Sequence, residues 1–229
     1  MVKIPPISLK HKGRLYVVYP RVELITDCMF NGDCIYEVLC LVVEDSVQQC
    51  PVSFFNSLDS RETYLVYRHA LENILSQTTT VVSLNTNVDF LDSNYVEILL
   101  SEFGGDMLIL ELAESSPLQS IVKIQARLNE IMKNPKIRIW LDDFGTERAN
   151  FDLMNVINFD AVKMSKELFW DLYENDKILF KYLVKMVKRK ANIMVVEGVD
   201  SYDKYIFCKE QQCLMQGYFF NEIKKSAAC

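Results

Sequence analysis

Polar residues that can bind a metal ion or carry a proton stand at the ends of most short apolar runs in this sequence. Two runs end at amides, others end at acidic residues, and one ends at a lysine. In chain order the run-end residues are Asn85, Glu111, Asp142, Asp143, Lys163, Glu197 and Gln216, and Glu37 follows the first two residues of a further run. If the runs are strands of one barrel, their ends converge on the face where barrel enzymes hold their catalytic groups. The sequence then predicts five carboxylates close to one lysine.

Such a cluster needs further positive charge, because carboxylates held close together cannot all stay ionised. Mg²⁺ and Mn²⁺ prefer oxygen ligands and would supply that charge. Two such ions about 3.5–4 Å apart are a common device for hydrolysing phosphodiesters. The alternative is structural, since a single acidic residue after a strand is most often a helix N-cap. The repetition over six strand ends favours a metal site.

The elements that must position these residues are short apolar runs alternating with amphipathic stretches. Eight runs have the composition of buried strands, namely Leu15–Tyr19, Ile35–Val43, Val81–Leu84, Met107–Leu110, Ile137–Leu141, Phe159–Val162, Ile193–Val196 and Cys213–Met215. Apolar residues recur at helical spacing in Arg61–Gln77, Ser116–Ile131 and Asp176–Lys190. The alternation predicts an α/β fold with a mainly parallel sheet, and eight strands predict a TIM-like barrel. An open doubly wound sheet is the alternative.

Composition excludes several other classes of protein. The chain has 229 residues, half of them hydrophobic, which is long enough for one α/β barrel. A net charge of −6 argues against a nucleic-acid partner. Only two histidines occur, His11 and His69, so a histidine-rich zinc site is excluded. The seven cysteines form no CxxC pair and are expected to be buried small hydrophobes.

The N-terminal segment lacks the apolar core of a signal peptide, and no apolar run of the sequence approaches the roughly 20 residues that a membrane helix needs. We therefore expect a cytoplasmic protein without membrane contact. The pair Pro5-Pro6 disfavours an early helix or strand. We expect residues 1–14 to form an N-terminal arm and residues 15–229 to form a single barrel domain.

Seven motifs around the strand ends together resemble one protein family. They are EVL at 37–39, LN at 84–85, ELAES at 111–115, DDFGT at 142–146, DAVK at 160–163, EGVD at 197–200 and QGYF at 216–219. Each motif alone is weak, but their order and spacing are specific. The chain from about Leu15 to Phe220 resembles an EAL domain, the cyclic di-GMP phosphodiesterase domain of bacteria.

The resemblance implies a fold and a set of residue roles. The fold would be a modified TIM (β/α)8 barrel whose first strand is antiparallel. Two Mg²⁺ or Mn²⁺ ions would be held by Glu37, Asn85, Glu111, Asp142 and Asp143. Lys163 and Glu197 would be catalytic, and Lys163 would position the attacking water or help to deprotonate it. Contacts with the substrate or its water network would come from Leu39, Gln216 and Tyr19. Glu114 would anchor the loop after Asp143. The product would be linear pGpG, and the protein could form a homodimer.

The chain departs from the family pattern on the substrate side. Leu41 stands where the family has an arginine that contacts the substrate phosphate, and Tyr19 replaces a glutamine. Residues 147–150 read ERAN instead of GxSS. The sequence therefore leaves three functions open: an active phosphodiesterase, a degenerate EAL protein that binds a flagellar or transcriptional regulator, and a cyclic di-GMP receptor without turnover. No sensory domain is recognised, so we expect any input signal to come through expression or a partner.

Overall fold

A computed structural model describes residues 2–26, 35–113, 115–146 and 151–220. Its strands are β1 (Ile7–His11), β2 (Arg14–Thr26), β3 (Ile35–Glu44), β4 (Val47–Gln49), β5 (Val81–Thr86), β6 (Leu108–Ala113), β7 (Ile137–Phe144), β8 (Ala161–Met164), β9 (Ile193–Val196) and β10 (Leu214–Gln216). Its helices are α1 (Pro51–Ser57), α2 (Ser60–Leu75), α3 (Val88–Leu91), α4 (Asn94–Phe103), α5 (Leu118–Ile131), α6 (Leu153–Val156), α7 (Lys166–Asn175), α8 (Lys177–Val187) and α9 (Tyr202–Glu210).

Eight strands close a barrel in the order β2-β10-β9-β8-β7-β6-β5-β3, and β3 pairs back to β2. The first barrel strand, β2, is antiparallel to both of its neighbours. All other neighbouring pairs of the ring are parallel. The modified TIM barrel with an antiparallel first strand is therefore confirmed, and the open doubly wound alternative is wrong. Each of the eight predicted strands overlaps one strand of the barrel.

The expectation that no strand forms before Leu15 is wrong. Ile7–His11 is a strand that pairs antiparallel with β2 through a tight turn at Lys12 and Gly13, both of which have positive φ. Pro5-Pro6 ends just before this strand, so neither proline removes a ladder hydrogen bond. On the other side, β4 pairs with the end of β3. These two short strands extend the sheet beyond the ring.

The helices include the three predicted ones and several that periodicity did not single out. Helix α2 begins one residue earlier than the expected range because Asp59 and Glu62 form a reciprocal capping box. Helix α8 ends at Val187, three residues before the expected end. The remaining helices have four to ten residues, which is too short for a clear 3.6-residue pattern.

The described cysteines match their expected role only in part. Cys208 and Cys213 are buried among apolar side chains, whereas Cys40 is half-buried and Cys50 is exposed. All four are free thiols. Cys28, Cys34 and Cys229 lie outside the described residues.

Two apolar layers hold the barrel together. Side chains on the outer face of the strands pack against the helices in the largest core cluster. A smaller cluster fills the inside of the barrel, and it contains Ile25, Ile35, Ile109, Trp140, Ala161, Val195 and Leu214, with Val81 and Ile193 packed against it. This inner plug closes one end of the barrel and forms the base on which the polar residues lie.

Candidate active site

The polar residues follow from the two-residue period of the strands. Because successive side chains of a strand point to opposite faces, the residue two positions beyond an inner apolar residue again points into the barrel. On the parallel strands and β3 this residue is Glu37, Ser83, Glu111, Asp142, Lys163, Glu197 or Gln216. On β2, which runs the other way, it is Glu23, two positions before Ile25. The inner plug therefore carries a polar layer on its open side.

Lys163 lies at the centre of this layer. Its Nζ is 2.8 Å from Glu111 Oε2, 2.8 Å from Asp142 Oδ1, 3.1 Å from Glu197 Oε1 and 3.3 Å from Glu37 Oε2. The lysine is only 1% exposed. One buried ammonium group is thus shared by four carboxylates, which leaves negative charge in excess.

Amide and hydroxyl groups orient these carboxylates. Asn85 Nδ2 donates to Glu37 Oε1 and Gln216 Nε2 donates to Glu37 Oε2, each with a donor–acceptor distance of 2.7 Å. Ser83 Oγ donates to Glu111 Oε1. Tyr67 fixes the end of β5, because its hydroxyl donates to the backbone carbonyl of Asn85. Glu37 is therefore held from two sides by donors on β5 and β10, and its orientation is fixed before any ligand binds.

Burial and crowding shift the pKa values of the cluster. Burial raises the pKa of Glu111 well above its usual value; Lys163 opposes this rise, and Glu37 and Asp142 add to it. Burial likewise raises the pKa of Glu197 to about 7, against the opposing effect of Lys163. Burial lowers the pKa of Lys163, but the four surrounding carboxylates outweigh that effect and raise it above its usual value. The site therefore keeps its lysine charged and favours protonation of Glu111 and Glu197 until further positive charge arrives.

Asp142 and Asp143 both face the site although they are consecutive. In a regular strand the second would point away from the barrel interior. The pairing of β7 with β8 is irregular between Leu141 and Phe144, and Asp143 has φ of +59°, a left-handed conformation that aspartate tolerates better than most residues. This turn brings Asp143 onto the cavity wall, where it is exposed. Although the residue as a whole is exposed, its carboxylate is partly buried and lies near Asp142, and both effects raise the pKa of Asp143 to about 6.

The layer forms the floor of a cavity of about 820 Å³. The predicted site residues on its lining are Glu37, Leu39, Asn85, Asp142, Asp143, Glu197 and Gln216. Glu111 and Lys163 lie just below and are each 1% exposed; Lys163 pairs with the lining carboxylates, and Glu111 pairs with Lys163. Seven predicted residues thus line one cavity and two support its floor.

One predicted residue is placed away from the cavity, and one lies outside the described residues. Tyr19 pairs with Leu41 further along the β2–β3 ladder, is 43% exposed and is not among the residues that line the cavity. Glu114, the predicted loop anchor, lies outside the described residues, as does the loop 147–150.

Several residues of the cavity were missed by the sequence analysis. Glu23 and Arg21 on β2 line the wall, as do Lys166 and Trp170 on α7. Glu23 pairs directly with Glu37 across the β2–β3 ladder. Burial and the charge of Glu37 raise the pKa of Glu23, whereas Arg21 and Lys163 lower it. The alternation before Ile25 could have identified Glu23, since the resemblance implies an antiparallel first strand, but the predicted strand ended at Tyr19 whereas β2 continues to Thr26.

The donor set fits a hard divalent cation. Glu37, Glu111 and Asp142 are buried and each offers one carboxylate oxygen within 4.8 Å of the other two. Asp142 Oδ1 and Gln216 Oε1 are buried and accept no hydrogen bond from the described residues, although the former lies beside the ammonium group of Lys163. Unsatisfied oxygens in an acidic cluster are the ligands that Mg²⁺, Mn²⁺ or Ca²⁺ prefers.

Fold and site together define an α/β-barrel protein with an acidic, oxygen-rich site at the open end of the barrel. The chain belongs to the EAL domain family, whose sequence profile matches residues 35–222. A curated relative, cyclic di-GMP phosphodiesterase PdeH of Escherichia coli K12, is 35% identical over 69 residues. That alignment spans 29% of this chain and 27% of PdeH, so the chain matches about a quarter of that relative's length.

Solved EAL structures share the fold. The EAL domain protein of Listeria monocytogenes EGD-e superposes with a TM-score of 0.72 and 21% identity over 92% of both chains. The YkuI protein of Bacillus subtilis, solved with cyclic di-GMP and calcium, has a TM-score of 0.71 and 19% identity over 89% of this chain and 55% of its own. Within the described ranges, no helix combines the length and apolar character needed to cross a membrane.

Proposed function

We propose that this protein hydrolyses one phosphodiester bond of cyclic di-GMP and releases linear pGpG. The observation that supports this most strongly is the group of four carboxylates around one buried lysine, on the floor of a cavity large enough for a dinucleotide. Ligand cavities commonly measure about 300–1,000 Å³. Family membership, the PdeH alignment and the cyclic di-GMP complex of YkuI point to the same substrate.

Two Mg²⁺ or Mn²⁺ ions are part of the proposal. Their ligands would be drawn from Glu37, Asn85, Glu111, Asp142 and Asp143. When bound, such ions lower the pKa of a coordinated water and stabilise the charge that develops on the phosphoryl group.

The side chains of the protein have separate tasks in this reaction. Lys163 stays protonated and fixes the carboxylates of four strands relative to one another. Asn85 and Gln216 hold Glu37 in one orientation. Glu197 borders the cavity with 22% of its side chain exposed, so its carboxylate can accept a proton from a water in the cavity. Leu39 lies on the wall and would contact the substrate directly.

The test is product chromatography after incubation with cyclic di-GMP and Mg²⁺ or Mn²⁺. We expect pGpG to form with either metal and not in EDTA. The control is Glu62→Gln, which removes a carboxylate that pairs with His11 outside the cavity and should leave turnover unchanged. If neither metal supports formation of pGpG by the folded protein, the proposed activity is wrong.

A second candidate function has its own structural support. Helix α8 exposes four large apolar side chains, Ile178, Leu179, Tyr182 and Met186, at 41–69% exposure. Such a surface fits a protein partner or a second copy of the chain. Together with Leu41, it supports an EAL protein that acts by binding a regulatory protein instead of by turnover. That function predicts a folded protein with neither pGpG formation nor affinity for cyclic di-GMP.

A further inference from the structure

Arg21 lies on the wall of the cavity, on the inner face of the antiparallel strand β2. Side chains on this face alternate from Ile25 in the apolar plug to Glu23 and Arg21 on the cavity wall. Arg21 pairs with Leu39, and Glu23 pairs with Glu37. Two residues of strand span about 7 Å, so Arg21 begins about that distance closer to the cavity mouth than Glu37 does.

Arg21 makes fewer contacts than the other cationic residues of the cavity, although its charge acts on Glu23 and lowers the pKa of that residue. Lys163 is buried and shared by four carboxylates. Lys166 Nζ lies 4.3 Å from the centre of the Trp170 ring. None of the ion pairs and side-chain hydrogen bonds among the described residues involves Arg21, which is exposed. A phosphate that enters this acidic cavity therefore meets, on the described wall, a guanidinium group whose donors are not held by another described side chain.

We propose that Arg21 binds a phosphate of cyclic di-GMP and so compensates for the absence of an arginine at position 41. This inference rests on the proposed function, because it names the residue that holds the proposed substrate. Arg21 pairs with Leu39 and Tyr19 pairs with Leu41, which makes Arg21 and Leu41 diagonal neighbours on one face. Such neighbours lie about 7–8 Å apart, within reach of an arginine side chain. A guanidinium group presents parallel N–H donors that match two phosphate oxygens.

Calorimetric titration of cyclic di-GMP in the presence of Ca²⁺ tests the inference, and product chromatography of the same samples checks that no substrate is consumed. Arg21→Gln should raise Kd about 10- to 100-fold, as expected for a lost charge-assisted contact. Arg21→Lys should lie between wild type and Arg21→Gln, because an ammonium group keeps the charge without the planar fork. Arg14→Gln is the matched control, since it removes one arginine from the same strand, outside the cavity, where it pairs with Glu44. It should leave Kd within about twofold.

Two further measurements separate phosphate binding from a structural role. Salt should weaken binding by wild type more steeply than binding by Arg21→Gln, because one screened ionic contact is missing in the variant. Introducing Leu41→Arg into Arg21→Gln should restore most of the affinity. If wild type binds cyclic di-GMP and Arg21→Gln binds equally well, the role of Arg21 is wrong and the proposed function stands. If folded wild type fails to bind at all, both proposals are wrong.

Discussion

Replacing Asp142 by asparagine tests whether the carboxylates of the site need a metal ion to balance their charge or are already balanced by their salt bridges to Lys163. Asp142 lies 2.8 Å from Lys163 Nζ, and its carboxylate oxygen is within 4.8 Å of oxygens of Glu37 and Glu111. With an effective dielectric constant of about 20, each repulsion costs at least about 3.5 kcal/mol and the attraction contributes about 6 kcal/mol. With both neighbours ionised, repulsion and attraction nearly cancel, and where Glu111 holds a proton, the loss of Asp142 lets Glu111 ionise and replace the charge beside Lys163. We expect the stability of metal-free Asp142→Asn to lie within about 1 kcal/mol of wild type.

An ordinary buried salt bridge gives a different result. Removing one partner of such a pair costs about 3–5 kcal/mol, because it leaves a buried charge uncompensated. In a protein of this size that loss lowers Tm by about 6–20 °C, whereas 1 kcal/mol shifts Tm by about 2–4 °C.

The assay is thermal unfolding in EDTA and in millimolar Mg²⁺ or Mn²⁺. The Tm of wild type should rise when metal is added, because a ligand that binds only the folded state stabilises that state. Asp142→Asn should keep its metal-free Tm within about 4 °C and lose most of the metal-induced gain. Asp160→Asn is the control, because Asp160 pairs with Arg138 outside the cavity and should keep the gain. A fall of 6 °C or more in EDTA, or a full metal response in Asp142→Asn, would refute this reasoning.

Three further predictions concern turnover, pH and substrate affinity. Glu37→Ala should abolish pGpG formation. Circular dichroism should show an intact fold, because Glu37 lies in the polar layer and not in the apolar plug. Near-wild-type turnover with full metal dependence would contradict the role of Glu37 as a metal ligand. The metal-free protein should lose stability as pH rises from about 4.5 to 7, because the raised pKa values of Glu197, about 7, and Asp143, about 6, mean that the unfolded chain releases its protons first. Thermal unfolding in EDTA at several pH values measures this, and a Tm that rises over that range would oppose it. Leu41→Arg should lower the Kd for cyclic di-GMP in Ca²⁺ by up to about tenfold, and Leu41→Lys by less, because a second guanidinium group joins Arg21 at the phosphate. Weaker binding by the arginine variant would mean that the side chains around Leu41 leave no room for a guanidinium group.

The sequence by itself determined where the barrel strands lie and which residues end them. A strand repeats every two residues, so the pattern Ile109 to Glu111, or Trp140 to Asp142, is visible in the chain without any partner. The same local period places Glu37 after Ile35 and Gln216 after Leu214. The motifs that identify the EAL family are built on these positions.

The tertiary structure decided which of these side chains touch and which residues join them. The contact between Lys163 and Glu37 links residues 126 positions apart and exists only because the barrel closes. The direction of β2 places Glu23 and Arg21 on the cavity wall and places Tyr19 further along the strand, outside the cavity lining. The left-handed backbone of Asp143 turns a side chain that the strand period would point away from the site. Local periodicity determines the face of each strand, whereas strand direction, closure and irregular backbone depend on pairings between distant parts of the chain.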